Sequence, residues 1–181
     1  MIKKIALFLS AFVPMYMLVV IKILLDLVEG SKKGDITTLI AIIILLVLVG
    51  FGLLGICYTL FNNKTPKTKV CVIKTDNVTG QYFFGYFSLF ILVAVHLELY
   101  TVSDIVLFFI INIIIAIVYI HNNLYYINPL LNLVGYNVYK VTCNFDGEDK
   151  QLNVFIKDSL VKSGQIEIYS TFNYNFCFYK E

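Results

Sequence analysis

The sequence contains no arginine and no tryptophan, and only three prolines in 181 residues. Charged residues make up 14% of it and avoid the long apolar runs. The net charge of +2 is too small to build a nucleic-acid-binding surface. Cys57, Cys71, Cys143 and Cys177 lie far apart, with no Cys-x-x-Cys pair and no Cys/His cluster. That spacing argues against a structural zinc site, and the cysteines read as small hydrophobes. There is no phosphate-binding loop, no H-E-x-x-H and no G-x-S-x-G. The letters G-x-G-x-x-G occur at Gly50, Gly52 and Gly55, but no strand precedes them and no acidic residue follows at the required distance. Glycines in such a run let helices approach closely. His96 and His121 fall near opposite ends of adjacent predicted helices, so they do not form one site within a monomer. Asp146, Glu148 and Asp149 fit a solvated hairpin tip. The chain carries no legible catalytic, cofactor-binding or metal-binding set.

What is present is hydrophobicity. Apolar residues are 59% of the chain, above the 45–50% usual for soluble domains, and the mean hydropathy is +0.82. Four apolar segments stand out: Ile5–Val28, Ile36–Phe61, Tyr82–Val102 and Ile105–Ile120. About 20 apolar residues span a bilayer. The first segment is too long for a signal peptide and is followed by no cleavage site, so it reads as a retained helix. The polar stretch Thr75–Gln81, with Asp76, Asn77 and Gly80, redirects the chain before the third segment. Tyr82, Phe83, Phe84, Tyr86 and Phe87 then open that segment, as suits a membrane–water interface.

The intramembrane polar residues are Lys22, Asp26 and Asn112. Lys22 and Asp26 share a helix face near the far end of the first segment. They read as an interfacial Asp beside a snorkelling Lys, ahead of an ion pair lining a pathway. Asn112 reads as a bond to a neighbouring helix. Lysines set the orientation. An internal N-terminus puts Lys3, Lys4, Lys64, Lys67, Lys69, Lys74 and Lys140 inside, against Lys32 and Lys33 outside. Both termini are then cytoplasmic.

After the fourth segment, Asn122–Tyr136 is too polar to cross again and suits the inner interface, with Pro129 interrupting or starting a helix. The tail then changes period. Tyr139, Val141 and Cys143 alternate with polar neighbours, as do Leu152, Val154 and Ile156, then Ile166 and Ile168, then Phe176 and Phe178. Period two predicts three or four antiparallel strands, with turns at Asp146-Gly147 and Ser163-Gly164. So small a sheet is marginal alone, which predicts packing on another subunit or a partner. Its five lysines and six acids leave no basic face for phosphate, so no direct nucleic-acid contact is expected.

The predicted fold is an α-helical integral membrane protein. Four transmembrane helices (residues 1–126) precede an interfacial segment and a small C-terminal β-rich cytoplasmic extension (residues 127–181). Two function classes fit it. One is a non-enzymatic sensor and scaffold. It docks a partner through the connection bearing Lys64, Lys67, Lys69 and Lys74, the stretch containing Asn128, Pro129, Tyr136 and Tyr139, and the strands. The other is a small oligomeric channel or holin-like pore, for which three polar residues supply little hydrated path. An intramembrane enzyme needs paired ionisable groups at membrane depth, and the sequence offers one pair near an interface.

Two stretches point to a family: Thr79-Gly-Gln-Tyr-Phe-Phe-Gly-Tyr-Phe-Ser-Leu-Phe and Asn128-Pro-Leu-Leu-Asn-Leu-Val-Gly-Tyr-Asn-Val-Tyr139. With four helices and a strand-rich tail, they resemble KwaA, the membrane subunit of the Kiwa anti-phage defence system. The resemblance implies a homo-oligomer, such as a tetramer, in the bacterial inner membrane that senses phage attachment or envelope disturbance. It implies a cytoplasmic DNA-binding effector, KwaB, that interferes with phage DNA replication and late transcription. It brings no catalytic residue and no cofactor.

Overall fold

A computed structural model describes residues 2–30, 34–61, 67–145, 148–157, 164–172 and 176–179. The helices are α1 (Ile2–Val28), α2 (Ile36–Phe61), α3 (Thr79–His96), α4 (Val102–His121) and the short α5 (Pro129–Leu133), with a 3-10 turn at Leu124–Tyr126. The strands are β1 (Lys67–Asn77), β2 (Asn137–Phe145), β3 (Glu148–Ile156), β4 (Gly164–Phe172) and β5 (Phe176–Tyr179). Among the described residues, α1, α2 and α4 are long and apolar enough to cross a membrane. The 18 residues of α3 rise about 27 Å, just under a hydrocarbon core of about 30 Å.

α1 is the hub of the helices. Leu7, Phe8, Ala11, Phe12, Met15, Tyr16, Val19 and Ile23 are buried, the i/i+4 stripe of a packed helical face. That stripe meets α2, α3, α4 and α5. α2 lies closest, because Gly52 and Gly55 let it. A Cβ on Gly52 would sit 2.5 Å from Val13 Cγ2 and 2.9 Å from the Leu9 carbonyl oxygen. On Gly55 it would sit 2.8 Å from Ala6 Cβ. Gly50 faces open space and takes no part.

The helix ends show why two predicted boundaries move. α4 begins at Val102 and not at Ile105, because Thr101 and Asp104 form a reciprocal capping box. α3 starts at Thr79, where Asn77 Oδ1 accepts the Thr79 N–H (3.0 Å), and stops at His96 instead of running to Val102. The turn that follows, with Leu99 buried, folds back onto the end of α1. α2 is capped by Asp35, whose carboxylate accepts from the Thr38 N–H (3.0 Å) and hydroxyl (2.8 Å).

The connection read as a lysine-bearing loop holds strand β1. It joins the four tail strands in a closed barrel of order β1-β2-β3-β5-β4, sealed by β4 against β1. The pairs are antiparallel except β3–β5, which is parallel and departs from the all-antiparallel expectation. This is the connectivity of an OB-type Greek-key barrel, with α3, α4 and α5 inserted between its first two strands. Among the described residues each strand has a neighbour on both sides, so the sheet needs no outside strand to close it. The interior holds Val72, Val141, Cys143, Leu152, Val154 and Ile156, with Tyr139 packed beside them. The period-two alternation in β2 and β3 marked six of these seven. The predicted turns at Asp146-Gly147 and Ser163 lie outside the described residues.

Val138 and Phe155 point the other way. Both are buried in the same cluster as Phe12, Tyr16 and Phe90 of the helices. The barrel is therefore seated on the helical part through the outer face of β2 and β3.

Candidate functional site

The seam between helices and barrel is held by hydrogen bonds on both passages of the chain. Val78 links β1 directly to α3, and its N–H donates to the Val138 carbonyl (3.1 Å). Thr79 Oγ1 also donates to that carbonyl (3.2 Å) and accepts from the Val138 N–H (2.8 Å). The first turn of α3 and the first turn of β2 are thereby tied, although 59 positions separate them. On the return path, Asn128 caps α5 by accepting from the Leu130 (3.1 Å) and Leu131 (3.3 Å) N–H groups. Its amide nitrogen donates to Ser10 of α1 (2.7 Å), and Pro129 at the first helical position suits the cap. Asn128 and Pro129 are both buried. Within this chain they hold the α5 junction together. The Asn122–Tyr136 stretch packs into the core through Tyr125 and Leu131.

At the other end of α1, Lys22 Nζ donates to the Leu97 carbonyl (3.1 Å), and the Tyr100 hydroxyl donates to the Asp26 carboxylate. Burial, then the bond to Asp26, raises the Tyr100 phenol above its usual range and keeps it a donor. Lys22 and Asp26 thus clasp the α3–α4 turn onto α1. Asn112 lies midway along α4. Its Oδ1 accepts from the Tyr16 hydroxyl (2.8 Å), and its Nδ2 donates to the Phe108 carbonyl (2.9 Å). Lys22, Asp26 and Asn112, the polar residues of the apolar segments, occupy two separate places and are not brought together.

The predicted docking residues divide. Lys64 lies outside the described residues, as do the side chains of Lys67 and Lys69 on β1. Tyr136 is half-buried against the helices and Tyr139 against the barrel interior. Lys74 is exposed and pairs with Asp76 at 3.0 Å. Asp76 stands opposite Lys140 in the β1–β2 register, and Lys140 is exposed too. These three form a mixed-charge patch on the outside of β1 and β2. Asn144 and Asp149 share a hydrogen bond (3.0 Å) on the neighbouring hairpin. Exposed pairs of this kind contribute under about 1 kcal/mol to stability, so the patch is available for recognition.

Sequence reasoning missed Ser10, Tyr16, Thr79, Tyr100, Val138 and Phe155. The pair Thr101 and Asp104 was missed too, although its spacing is that of a capping box. Nothing local marks the others, because their partners lie far along the chain. Among the described residues no group of three metal-ligating side chains comes together. Cys57 is exposed on α2, and Cys143 is buried inside the barrel.

Among known families, the one described as anti-phage protein KwaA matches residues 3–177. No curated protein and no solved structure matches the chain.

Proposed function

Because the chain belongs to the KwaA family of anti-phage proteins, we propose that it is a non-enzymatic membrane sensor and scaffold. Its helices register phage attachment or membrane disturbance, and its barrel recruits a cytoplasmic DNA-binding effector of the KwaB kind. One observation carries this reading: α3 and α4 are inserted between strands β1 and β2, which pair directly with each other. A shift of α3 or α4 in the bilayer acts on that strand pair through the Thr79–Val138 bonds without any intervening linker. The membrane signal and the barrel surface are mechanically adjacent.

In this reading α3 is a further crossing, giving four spans with both termini in the cytoplasm of a bacterial inner membrane. The protein assembles as a homo-oligomer, such as a tetramer. The barrel's near balance of lysines and acids leaves nucleic acid to the effector. Lys74, Asp76 and Lys140 form the accessible part of the docking surface. The channel reading gains nothing comparable, since Lys22, Asp26 and Asn112 bond to neighbouring groups at separate depths.

The test is affinity purification from the native host in mild detergent, with a C-terminal tag. A stoichiometric soluble DNA-binding protein on a multimeric core is expected. Lys74→Glu with Lys140→Glu should reduce its recovery at least tenfold while the membrane core still sizes normally. Undiminished recovery by that variant would remove the patch from the interface. A homo-oligomer that depolarises cells and brings down no partner would replace this reading with the pore.

A further inference from the structure

A groove of about 530 Å³ opens between α1, α2 and α4. Phe8, Leu48, Ile113, Ala116 and Ile117 contribute to its apolar lining. Asn112 also lines it, but its amide is already bonded to Tyr16 and to the Phe108 carbonyl. Along α4 the lining runs from Phe109 to His121, about 18 Å of helical rise. One leaflet of a hydrocarbon core is about 15 Å deep. The groove thus matches a single leaflet, and a second transmembrane helix would need about twice that length.

Its mouth is basic. His121 lines the groove at the last turn of α4. Lys4 directly precedes the lining residue Ile5, and its Nζ lies 5.7 Å from the centre of the Tyr125 ring, just beyond α4. The acids of α1 and α4, Asp26 and Asp104, are at the opposite ends of those helices. With the orientation proposed above, the mouth opens at the inner leaflet. An apolar slot one leaflet deep, with the Lys4 ammonium near the headgroup level and the His121 ring as a hydrogen-bond partner, is complementary to an anionic lipid.

We propose that this groove holds one acyl chain of an anionic phospholipid, with the lipid phosphate between Lys4 and His121. The proposal rests on the membrane placement of α1, α2 and α4 and is independent of the effector. Losing effector recovery would leave it standing.

The probe is palmitoyl-oleoyl phosphatidylglycerol, titrated against the full-length detergent-purified protein and read by native mass spectrometry. The matching phosphatidylcholine is the control. Phosphatidylglycerol should bind about fivefold tighter or more, as expected for one basic contact. Lys4→Gln with His121→Gln should abolish that preference and leave phosphatidylcholine retention unchanged. Ala116→Phe fills the slot and should weaken both lipids at least tenfold, in protein whose unfolding midpoint stays near wild type. If Ala116→Phe misfolds, the mouth variants still decide the headgroup claim. Equal binding of the two lipids by wild type, or an undiminished preference in the mouth variant, would overturn the proposal. So would cross-linking of Ile117→Cys to its own copy in membranes, in a Cys57→Ser background, because a second helix would then occupy the groove.

Discussion

Asn128 Nδ2 donates to Ser10 Oγ across 2.7 Å in a buried site, joining residues 118 positions apart. The Ser10 hydroxyl in turn donates to the Leu7 carbonyl (2.8 Å). One amide therefore caps α5, fixes the chain's return from α4 to β2, and anchors both to the central helix. Asn128→Ala removes the cap and leaves Ser10 short of a donor in a dry environment. It should cost about 2–3 kcal/mol, read as a lower unfolding midpoint in detergent. Asn128→Asp keeps the cap acceptor and should lose less. If both variants unfold like wild type but fail to recover the effector, Asn128 is a docking residue after all.

The glycines of α2 divide into those that touch α1 and one that does not. Gly52→Ala and Gly55→Ala should each destabilise by about 1–3 kcal/mol, because the new Cβ meets backbone that cannot move aside. Gly50→Ala should be neutral or mildly stabilising, since a helical glycine gives way to a better helix former with room to spare. Thermal unfolding of the three variants in one detergent tests this. Equal effects at Gly50 and Gly52 would rule out the close approach.

Phe155 ties the barrel to the helices, whereas Val154, one residue earlier, faces the barrel interior. Phe155→Ala should cost about 3–5 kcal/mol and loosen the barrel from its seat. Proteolysis should then release barrel fragments from a helical part that stays in the membrane. Val154→Ala should instead open the barrel itself. A truncation after Tyr136 would disturb the same seam. It removes four of five strands and the Val138 groups that satisfy Val78 and Thr79. Loss of partner binding in that truncation would reflect a collapsed seam as much as a missing surface, so point variants on the barrel exterior are the sharper probe.

Asp35 provides a pH test. The Thr38 N–H and hydroxyl favour its carboxylate form and hold its pKa below the usual value. A depressed folded-state pKa contributes stability that is present above the ordinary aspartate pKa and lost as pH falls through the folded one. The stability gap between wild type and Asp35→Ala should therefore be widest near neutrality and narrow as the pH drops below about 4. A gap that does not change with pH would show that charge is irrelevant to this cap.

The apolar helices and the inward-facing residues of β2 and β3 are legible in the residues alone. Both signals are local: an uncharged run long enough for a bilayer, and an alternation that a pleated strand must show when one face is buried. Tertiary structure decided the rest. β1 reads as a polar connection because its partners β2 and β4 come from the far end of the chain. Only closing the barrel turns Lys67–Asn77 into a strand. Asn128 and Pro129 look like an exposed polar turn until Ser10 is brought beside them. Lys22 and Asp26 sit one helical turn apart in sequence, yet they also bond to Leu97 and Tyr100, which lie beyond α3. Such contacts depend on distances that no local window contains, so the residues that couple helices to barrel emerge only when the chain has folded.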